Sequence, residues 1–282
     1  MVRSIPILLD PSKGLFRLQD YYSPPNSDLG RSFKGSRFLP SLSTNFSFSR
    51  TLNRLREDLL RARNNDFRIL ILGSGIQRPR IYKYLNTIRG LSLIALDVDS
   101  CADVDIIADA HTIPFADESF DAVITTAVLE HVLDPSAVVS EIFRILAPNG
   151  LVYSELPFMQ QVHEGAYDFT RYTMLGHCYL FRYFKAYSVG PVAGPGSALA
   201  WCLEFFALSF VPSRLSKLRF FVKAFSRLLF FWIKYFDYIL LRFDSSYDAL
   251  SCTYFYGCKS KQPLEPARLI SSYVGGATFK HF

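Results

Sequence analysis

The sequence has few cysteines, and their spacing does not suit a metal centre. Its 282 residues include five cysteines, at positions 101, 178, 202, 252 and 258. They form no C-x-x-C pair, and the last two lie too far apart for a usual zinc knuckle. We therefore predict reduced thiols that mostly fill the core of a cytoplasmic protein, and no metal site.

The sequence also lacks a secretory signal and a nucleic-acid motif. The short apolar run near the N-terminus is interrupted by Asp10, too early for a signal peptide. No arginine-rich run or RNA-binding motif occurs, so a nucleic-acid partner is not favoured.

Charge is distributed unevenly along the chain, whose formal net charge is +6. The net charge is +5 over residues 1–66, −6 over residues 67–160 and +7 over residues 161–282. Such asymmetry suits an anionic partner, such as an anionic lipid or a phosphorylated glycan. It equally suits ordinary solvation of helix faces, and both interpretations stay open.

Apolar runs alternate with helix-compatible segments through the middle of the chain. Five runs read as buried strands: "FRILILG", "LSLIALDV", "VDIIAD", "DAVITT" and "LVYSELP". Between the last two, Asp134 is a suitable N-cap and Pro135 a suitable first residue for a helix. The alternation predicts an α/β fold with a doubly wound, Rossmann-like sheet. "KAYSVGPVA" adds a sixth strand, and "CTYFYGCKS" adds a seventh, antiparallel one.

Four regions follow from this pattern. Residues 1–50 are predicted to be an N-terminal arm or cap, and residues 51–194 with 251–262 form the α/β domain. Residues 195–250 are a helical apolar insert between strands six and seven, and residues 263–282 are a C-terminal tail. An insert of this length is unusual where a short hairpin is normal.

The loop "GSGIQR" after the first strand lacks the third glycine of the dinucleotide fingerprint, and Arg78 stands in its place. A pyrophosphate needs that glycine to bring the helix N-terminus close. S-adenosylmethionine has no phosphate and needs only the tight turn at Gly73 and Gly75. Asp97 ends the second strand, 22 residues after Gly75, where a carboxylate meets ribose hydroxyls. Asp109 ends the third strand, where it suits the adenine amino group, although both acids also suit helix caps or solvated loops.

Several motifs together resemble a known family. The string "ADAHTIPFADESFDAV", then "VLEHV", then a helix ending in "PNG", is similar to class I S-adenosylmethionine-dependent methyltransferases of the type-11 group. The resemblance spans roughly residues 67–160. "VHEGAYDFTRYT" and "GPGSALAW" resemble a bacterial subgroup associated with surface-polysaccharide and lipid gene neighbourhoods. The chain departs from the family at Ile76, Gln77 and Asn149, but Asn tolerates the left-handed conformation that a turn requires.

The resemblance implies a cofactor-binding set. Gly73, Ser74 and Gly75 would hold the methionine part of S-adenosylmethionine, and Asp97 its ribose. The remaining members would contact the adenine or the methionine end: Val98, Asp109, Ala110, Thr126 and Ala127.

The loop after the fifth strand faces the methyl group in this fold, and it supplies the catalytic candidates. His163 is the candidate base, because histidine titrates near neutrality. Asp168 would orient His163 or bind substrate, and Arg171 would clamp an anionic group. The alternative is a polar loop that only packs. Glu130 and His131 in "VLEHV" are interpreted as structural rather than catalytic.

The insert combines dense aromatic sequence with a stripe of charges at helical spacing. The stripe comprises Arg219, Lys223, Arg227, Lys234, Asp237 and Arg242. These charges interrupt the apolar sequence too often for a transmembrane span. Three interpretations stay open: a buried lid, a dimer surface, or a helix at the inner face of the membrane whose stripe meets anionic head groups.

The predicted function is transfer of a methyl group from S-adenosylmethionine to a small-molecule, glycan or lipid-linked acceptor. Two alternatives remain, a non-catalytic scaffold with the same fold and an NAD-dependent oxidoreductase or epimerase. The strand-end acids favour the enzyme, and the missing Y-x-x-x-K motif and third glycine disfavour the oxidoreductase.

Overall fold

The computed structural model describes residues 5–10, 16, 39–62, 66–75, 77–99 and 103–276. Predictions that concern Ile76, Cys101, most of the N-terminal arm and the last six residues lie outside this part of the chain. The bounds below refer to the described residues.

The described strands form one sheet in the order β1-β4-β3-β2-β5-β6-β8-β7. Their bounds are β1 Ile7–Leu8, β2 Phe67–Leu72, β3 Leu91–Asp97, β4 Ile106–Ala108, β5 Phe120–Thr126, β6 Leu146–Pro157, β7 Phe184–Ala193 and β8 Cys252–Lys259. Strands β1 to β6 pair in parallel, and β8 runs antiparallel to both β6 and β7. The Rossmann-like fold with an antiparallel last strand is confirmed. The predicted count of seven is one short, because Ile7–Leu8 of the arm pairs with the edge strand β4.

Helices cover both faces of the sheet and continue beyond it. Their bounds are α1 Phe48–Arg61, α2 Arg78–Leu85, α3 Pro135–Ile145, α4 Met174–Leu180, α5 Pro195–Ser209, α6 Ser216–Phe230, α7 Asp237–Leu240 and α8 Pro266–Ser271. Helix α3 begins as predicted, since the Asp134 carboxylate accepts hydrogen bonds from the backbone N–H groups of Ser136 and Ala137.

Alternating residues of β2 point into two separate apolar cores. Ile69 and Ile71 pack with the buried stripe of α1, whereas Leu70 and Leu72 pack with α3. Both faces of the central strands are thereby buried, which explains their continuous apolar sequence. Asn149 has a φ of +62°, so the tolerance expected of this residue in its turn is confirmed.

The segment between β7 and β8 consists of α5, α6, α7 and short helical turns. The charged stripe of α6 faces α5, where Arg227 Nε donates to Glu204 Oε2 over 2.6 Å. Arg219 donates to the Val211 carbonyl over 2.7 Å, and it is partly buried. Two arginines of the stripe are thus engaged inside the insert, and the expectation that the stripe meets lipid head groups stays a prediction. The opposite face of α6 is apolar and exposed, with both Phe221 and Phe225 at 67%.

Asp237 joins α7 to the start of α5, directly after β7. Its side chain is completely buried and accepts hydrogen bonds from the backbone N–H groups of Gly194, Gly196 and Ser197 at the start of α5. A Cβ on Gly194 would lie 2.6 Å from Asp237 Oδ1, so the glycine makes room for the carboxylate. The backbone of the "GPGS" sequence thus supplies the hydrogen-bond donors for the buried Asp237 carboxylate.

Replacing Asp237 with alanine is expected to destabilise the protein by about 3 kcal/mol, because it leaves several buried N–H donors without an acceptor. The melting temperature should fall by roughly 6–10 °C for a chain of this size. Differential scanning calorimetry measures the change. The exposed Asp244 provides a matched control, since Asp244→Ala should stay within about 0.5 kcal/mol of the parent. Equal melting temperatures for the two variants would contradict the anchoring role.

Candidate functional site

The glycine loop after β2 adopts a turn that only glycine fits well. Gly73 has a φ of +66°, and a Cβ there would lie 2.3 Å from Cγ2 of Val128. Its N–H donates to the Leu96 carbonyl over 2.8 Å, so β2 and β3 end together. Ser74 is fully buried, and Gly75 has a φ of +45°. A Cβ on Gly75 would meet nothing within 4 Å, so the loop faces open space at this point.

The two predicted acids lie at the ends of neighbouring strands. The Asp97 carboxylate accepts the N–H of Gly75 over 2.8 Å and that of Asp99 over 3.0 Å, which fixes it beside the glycine loop. Burial raises the pKa of the Asp97 carboxyl, and these hydrogen bonds offset only part of the effect. Asp109 is 3% exposed and contacts Nδ1 of His111 over 2.6 Å. Val98 and Ala110 follow the two acids directly.

Thr126 is the last residue of β5 and Ala127 comes directly after it, at the same edge of the sheet. Ala127 has a φ of +55°, unusual for a residue with a Cβ, and its N–H donates to the Glu155 carbonyl over 3.0 Å. The turn brings the next residue, Val128, against Gly73. The predicted cofactor residues therefore lie at or just after the ends of β2, β3, β4 and β5. These strands are adjacent in the sheet and end at one edge.

The loop after β6 is held by an ion pair inside it. Arg171 contacts both oxygens of Asp168 and also donates to the carbonyls of Gln160, Gln161 and Thr170. The Asp168 carboxylate in turn accepts the N–H of His163 over 2.9 Å. All five guanidinium N–H donors thus have partners within the loop. This geometry makes Arg171 a brace of the loop, and its predicted role as a clamp for a substrate anion stays a prediction.

His163 meets Glu130 and His131, the two residues that the sequence pattern assigned to packing. The Nε2 atoms of His131 and His163 are 3.1 Å apart, and Glu130 Oε1 lies 3.7 Å from each. Burial opposes protonation of His163, but the contacts with Glu130, Gln161 and Asp168 outweigh it and raise the pKa of its imidazole. No local signal links these residues, because the contact crosses 32 positions of sequence.

A further buried acid, Glu155, has no signal in the sequence pattern. It lies near the end of β6, and its carboxylate accepts hydrogen bonds from Asn45, Ser47 and Tyr153. Burial raises the pKa of the Glu155 carboxyl despite these donors. The N-terminal arm is thereby tied to the edge of the sheet that carries the candidate site.

A cleft of about 890 Å³ lies between the loop after β6 and helix α5. The loop contributes residues 158–162 and 168–171, and the helix contributes mostly apolar side chains, among them Leu199, Cys202 and Phe205. The cleft has room for a drug-sized molecule or part of a larger one.

Comparison with known proteins agrees with this arrangement. Residues 72–154 match a family model described as a methyltransferase domain. A search of curated proteins gives no match. The match identifies residues 72–154 as a methyltransferase domain, and the sheet that contains them has the order of a Rossmann-like fold.

Solved structures of similar proteins include 1,6-didemethyltoxoflavin-N1-methyltransferase from Burkholderia thailandensis, determined with bound 1,6-didemethyltoxoflavin and S-adenosylhomocysteine. It is 12% identical, the alignment covers 76% of this chain and 79% of that chain, and the TM-score is 0.43. A SAM-dependent methyltransferase from Aquifex aeolicus is 13% identical over 51% of this chain and 92% of that chain, with a TM-score of 0.36. The cyclase SpnF is 13% identical over 76% and 81%, with a TM-score of 0.42.

Proposed function

We propose that the protein transfers a methyl group from S-adenosylmethionine to an amphipathic acceptor, such as a lipid-linked glycan. The main support for this cofactor is the glycine loop, whose two left-handed glycines lie beside the partly buried Asp97. The open space at Gly75 and the absence of a third glycine suit a ligand without a pyrophosphate. Asp97 would hold the ribose hydroxyls, and Asp109 would meet the adenine edge.

The bound cofactor supplies a methyl group already activated by a sulfonium. The chain's own residues would then position the acceptor and exclude water. The Asp168–Arg171 pair fixes the loop that forms one wall of the cleft, and α5 forms the other. Since α5 is anchored through Asp237, the insert would cap the acceptor site as a fixed wall.

The exposed surface of the insert supports an amphipathic acceptor. Large apolar side chains are exposed on neighbouring turns: Leu199, Phe206, Phe210, Phe221, Phe225, Leu228, Trp232, Tyr235 and Tyr238. Leu199 also lines the cleft, so one of these exposed apolar side chains borders it. A lipid chain that reached the cleft from this surface would stay in apolar contact. Extended apolar patches on soluble domains usually mark such interaction sites.

We further propose that this surface docks on an anionic membrane. The insert carries seven Lys or Arg and four Asp or Glu, and two of those acids, Glu204 and Asp237, are buried. Arg214, Lys217 and Arg242 of the insert are exposed, and each would contribute on the order of 1 kcal/mol at an anionic surface. Among the described helices, none is long and apolar enough to cross a bilayer.

The cofactor assignment is tested by calorimetry on the purified protein. S-adenosylmethionine and S-adenosylhomocysteine are expected to bind in the micromolar range, a typical scale for ligands of this size. Asp97→Ala should weaken both at least about tenfold, since it removes a charge-assisted hydrogen bond to the ribose. Asp117→Ala, at an exposed position away from the strand ends, should bind like the parent. Binding of NAD instead, or no binding of either sulfur ligand, would refute the assignment.

A further inference from the structure

Three side chains with metal-binding atoms converge beside the proposed methyl-transfer edge. Glu130 and His131 belong to a one-turn helix just after β5, and His163 belongs to the loop after β6. The donor atoms lie within 4.8 Å of one another. Glu130 is only 1% exposed, and neither of its carboxylate oxygens has a hydrogen-bond partner. A buried carboxylate in that state is costly unless a cation balances it.

The hydrogen bonds of the two histidines define which nitrogens carry protons. Nδ1 of His131 lies 2.8 Å from the Tyr167 carbonyl, and Nδ1 of His163 lies 3.2 Å from the Gln161 carbonyl. Because a carbonyl oxygen only accepts, each Nδ1 carries a proton, and each neutral ring presents a lone pair at Nε2. Two lone pairs therefore face each other across 3.1 Å, next to the Glu130 carboxylate. With both rings neutral these three groups repel one another, and either a metal ion or a shared proton between them removes the repulsion.

The distances leave room for an ion of one particular size. A point equidistant from the two Nε2 atoms and Glu130 Oε1 lies about 2.0 Å from each, given separations of 3.1, 3.7 and 3.7 Å. Zinc binds histidine nitrogen at about 2.0–2.1 Å and carboxylate oxygen at about 2.0–2.2 Å. Calcium, with oxygen ligands at about 2.3–2.6 Å, is larger and does not favour imidazole.

The hydrogen bonds around the two histidines are of the kind that metal-binding histidines usually make. Metal ligands of this kind commonly donate their second N–H to a carbonyl or carboxylate, which fixes the ring. The Asp168 carboxylate lies 3.4 Å from Nδ1 of His163 and is itself paired with Arg171. The Glu130 carbonyl accepts the backbone N–H groups of Phe169 and Thr170, which holds the loop against the turn.

We propose that Glu130, His131 and His163 bind one divalent transition-metal ion, of which zinc fits best. Three protein ligands leave a fourth position open for water or for an oxygen of another ligand. This proposal differs from two expectations from sequence, that the chain has no metal site and that Glu130 and His131 are structural. It also excludes His163 Nε2 as a general base while the ion is bound, because the same lone pair cannot serve both.

Metal content of the full chain, prepared without a histidine tag, tests the proposal. After equilibration with zinc and removal of free ion, mass spectrometry of the metal is expected to give about one zinc per chain. Glu130→Gln and His163→Gln should each weaken zinc binding at least about tenfold in competition with a chelating dye. His111→Gln is the matched control, since His111 contacts Asp109 and lies outside the cluster. Its zinc affinity should equal that of the parent.

X-ray absorption of the cobalt-loaded parent protein gives a result that does not depend on how the variants fold. Two imidazole ligands per ion are expected in the first coordination shell. A parent protein that retains no metal, or cobalt without imidazole ligands, would overturn the proposal and leave a proton shared between the two rings. Equal zinc affinity for His163→Gln and His111→Gln would overturn it as well. None of these readouts depends on methyl transfer.

Discussion

Alanine at position 73 is expected to reduce the affinity for S-adenosylmethionine by about 100-fold. The new Cβ would lie 2.3 Å from Cγ2 and 2.9 Å from Cγ1 of Val128, a stiff β-branched side chain. The left-handed backbone at φ +66° adds about 1–2 kcal/mol of strain, and the overlap adds roughly 1–3 kcal/mol. The backbone strain and the overlap with Val128 are relieved only if the glycine loop moves away from Asp97. Calorimetric titration with the cofactor measures the loss.

A second substitution separates this mechanism from general instability. Val128→Ala removes the two methyl groups that Gly73→Ala would strike, so the double variant should recover a large part of the lost affinity. The single variant Val128→Ala should bind the cofactor nearly as the parent does. If Gly73→Ala binds normally, the loop does not approach the cofactor as closely as proposed. If the double variant shows no recovery, the contact with Val128 is not the cause.

The positions of the proposed cofactor-binding residues were predictable because their determinants are local. Gly73, Asp97 and Asp109 each follow an apolar run, and parallel strands bring such ends to one edge whatever the details of the packing. The start of α3 was equally accessible, since an N-cap acid and a first-turn proline determine a helix start within a few residues.

The acceptor side was not predictable from pattern. The meeting of His163 with Glu130 depends on a loop whose shape is set by the Asp168–Arg171 pair, and periodicity does not determine such loops. The edge strand Ile7–Leu8 is too short to give a period of its own. The orientation of α6 depends on a distant partner, Glu204 of α5, which draws Arg227 inward and leaves the phenylalanines outside.

That inverted orientation distinguishes the interpretations of the insert. A helix that only closes a lid buries its apolar face on the domain, whereas α6 buries a polar stripe and exposes Phe221 and Phe225 at 67% each. The exposed face therefore supports the proposal of a partner outside the described residues. A membrane surface and a second copy of the chain are the two partners to be separated by experiment.

The double substitution Phe221→Glu with Phe225→Glu is expected to weaken binding to anionic vesicles at least about 100-fold. Each phenylalanine contributes about 1.5–3 kcal/mol when buried in an apolar environment, and each new carboxylate is repelled by anionic lipid. Cosedimentation with phosphatidylserine-containing vesicles measures the effect, and parent binding should weaken as salt is added. Leu60→Glu with Tyr82→Glu is the matched control, because both side chains are about half exposed on α1 and α2, away from the insert. Its vesicle binding should equal that of the parent.

Sedimentation without vesicles tests the rival partner, a second copy of the chain. A parent dimer that the phenylalanine substitutions dissociate, together with no vesicle binding, would assign the face to a second copy and refute membrane docking.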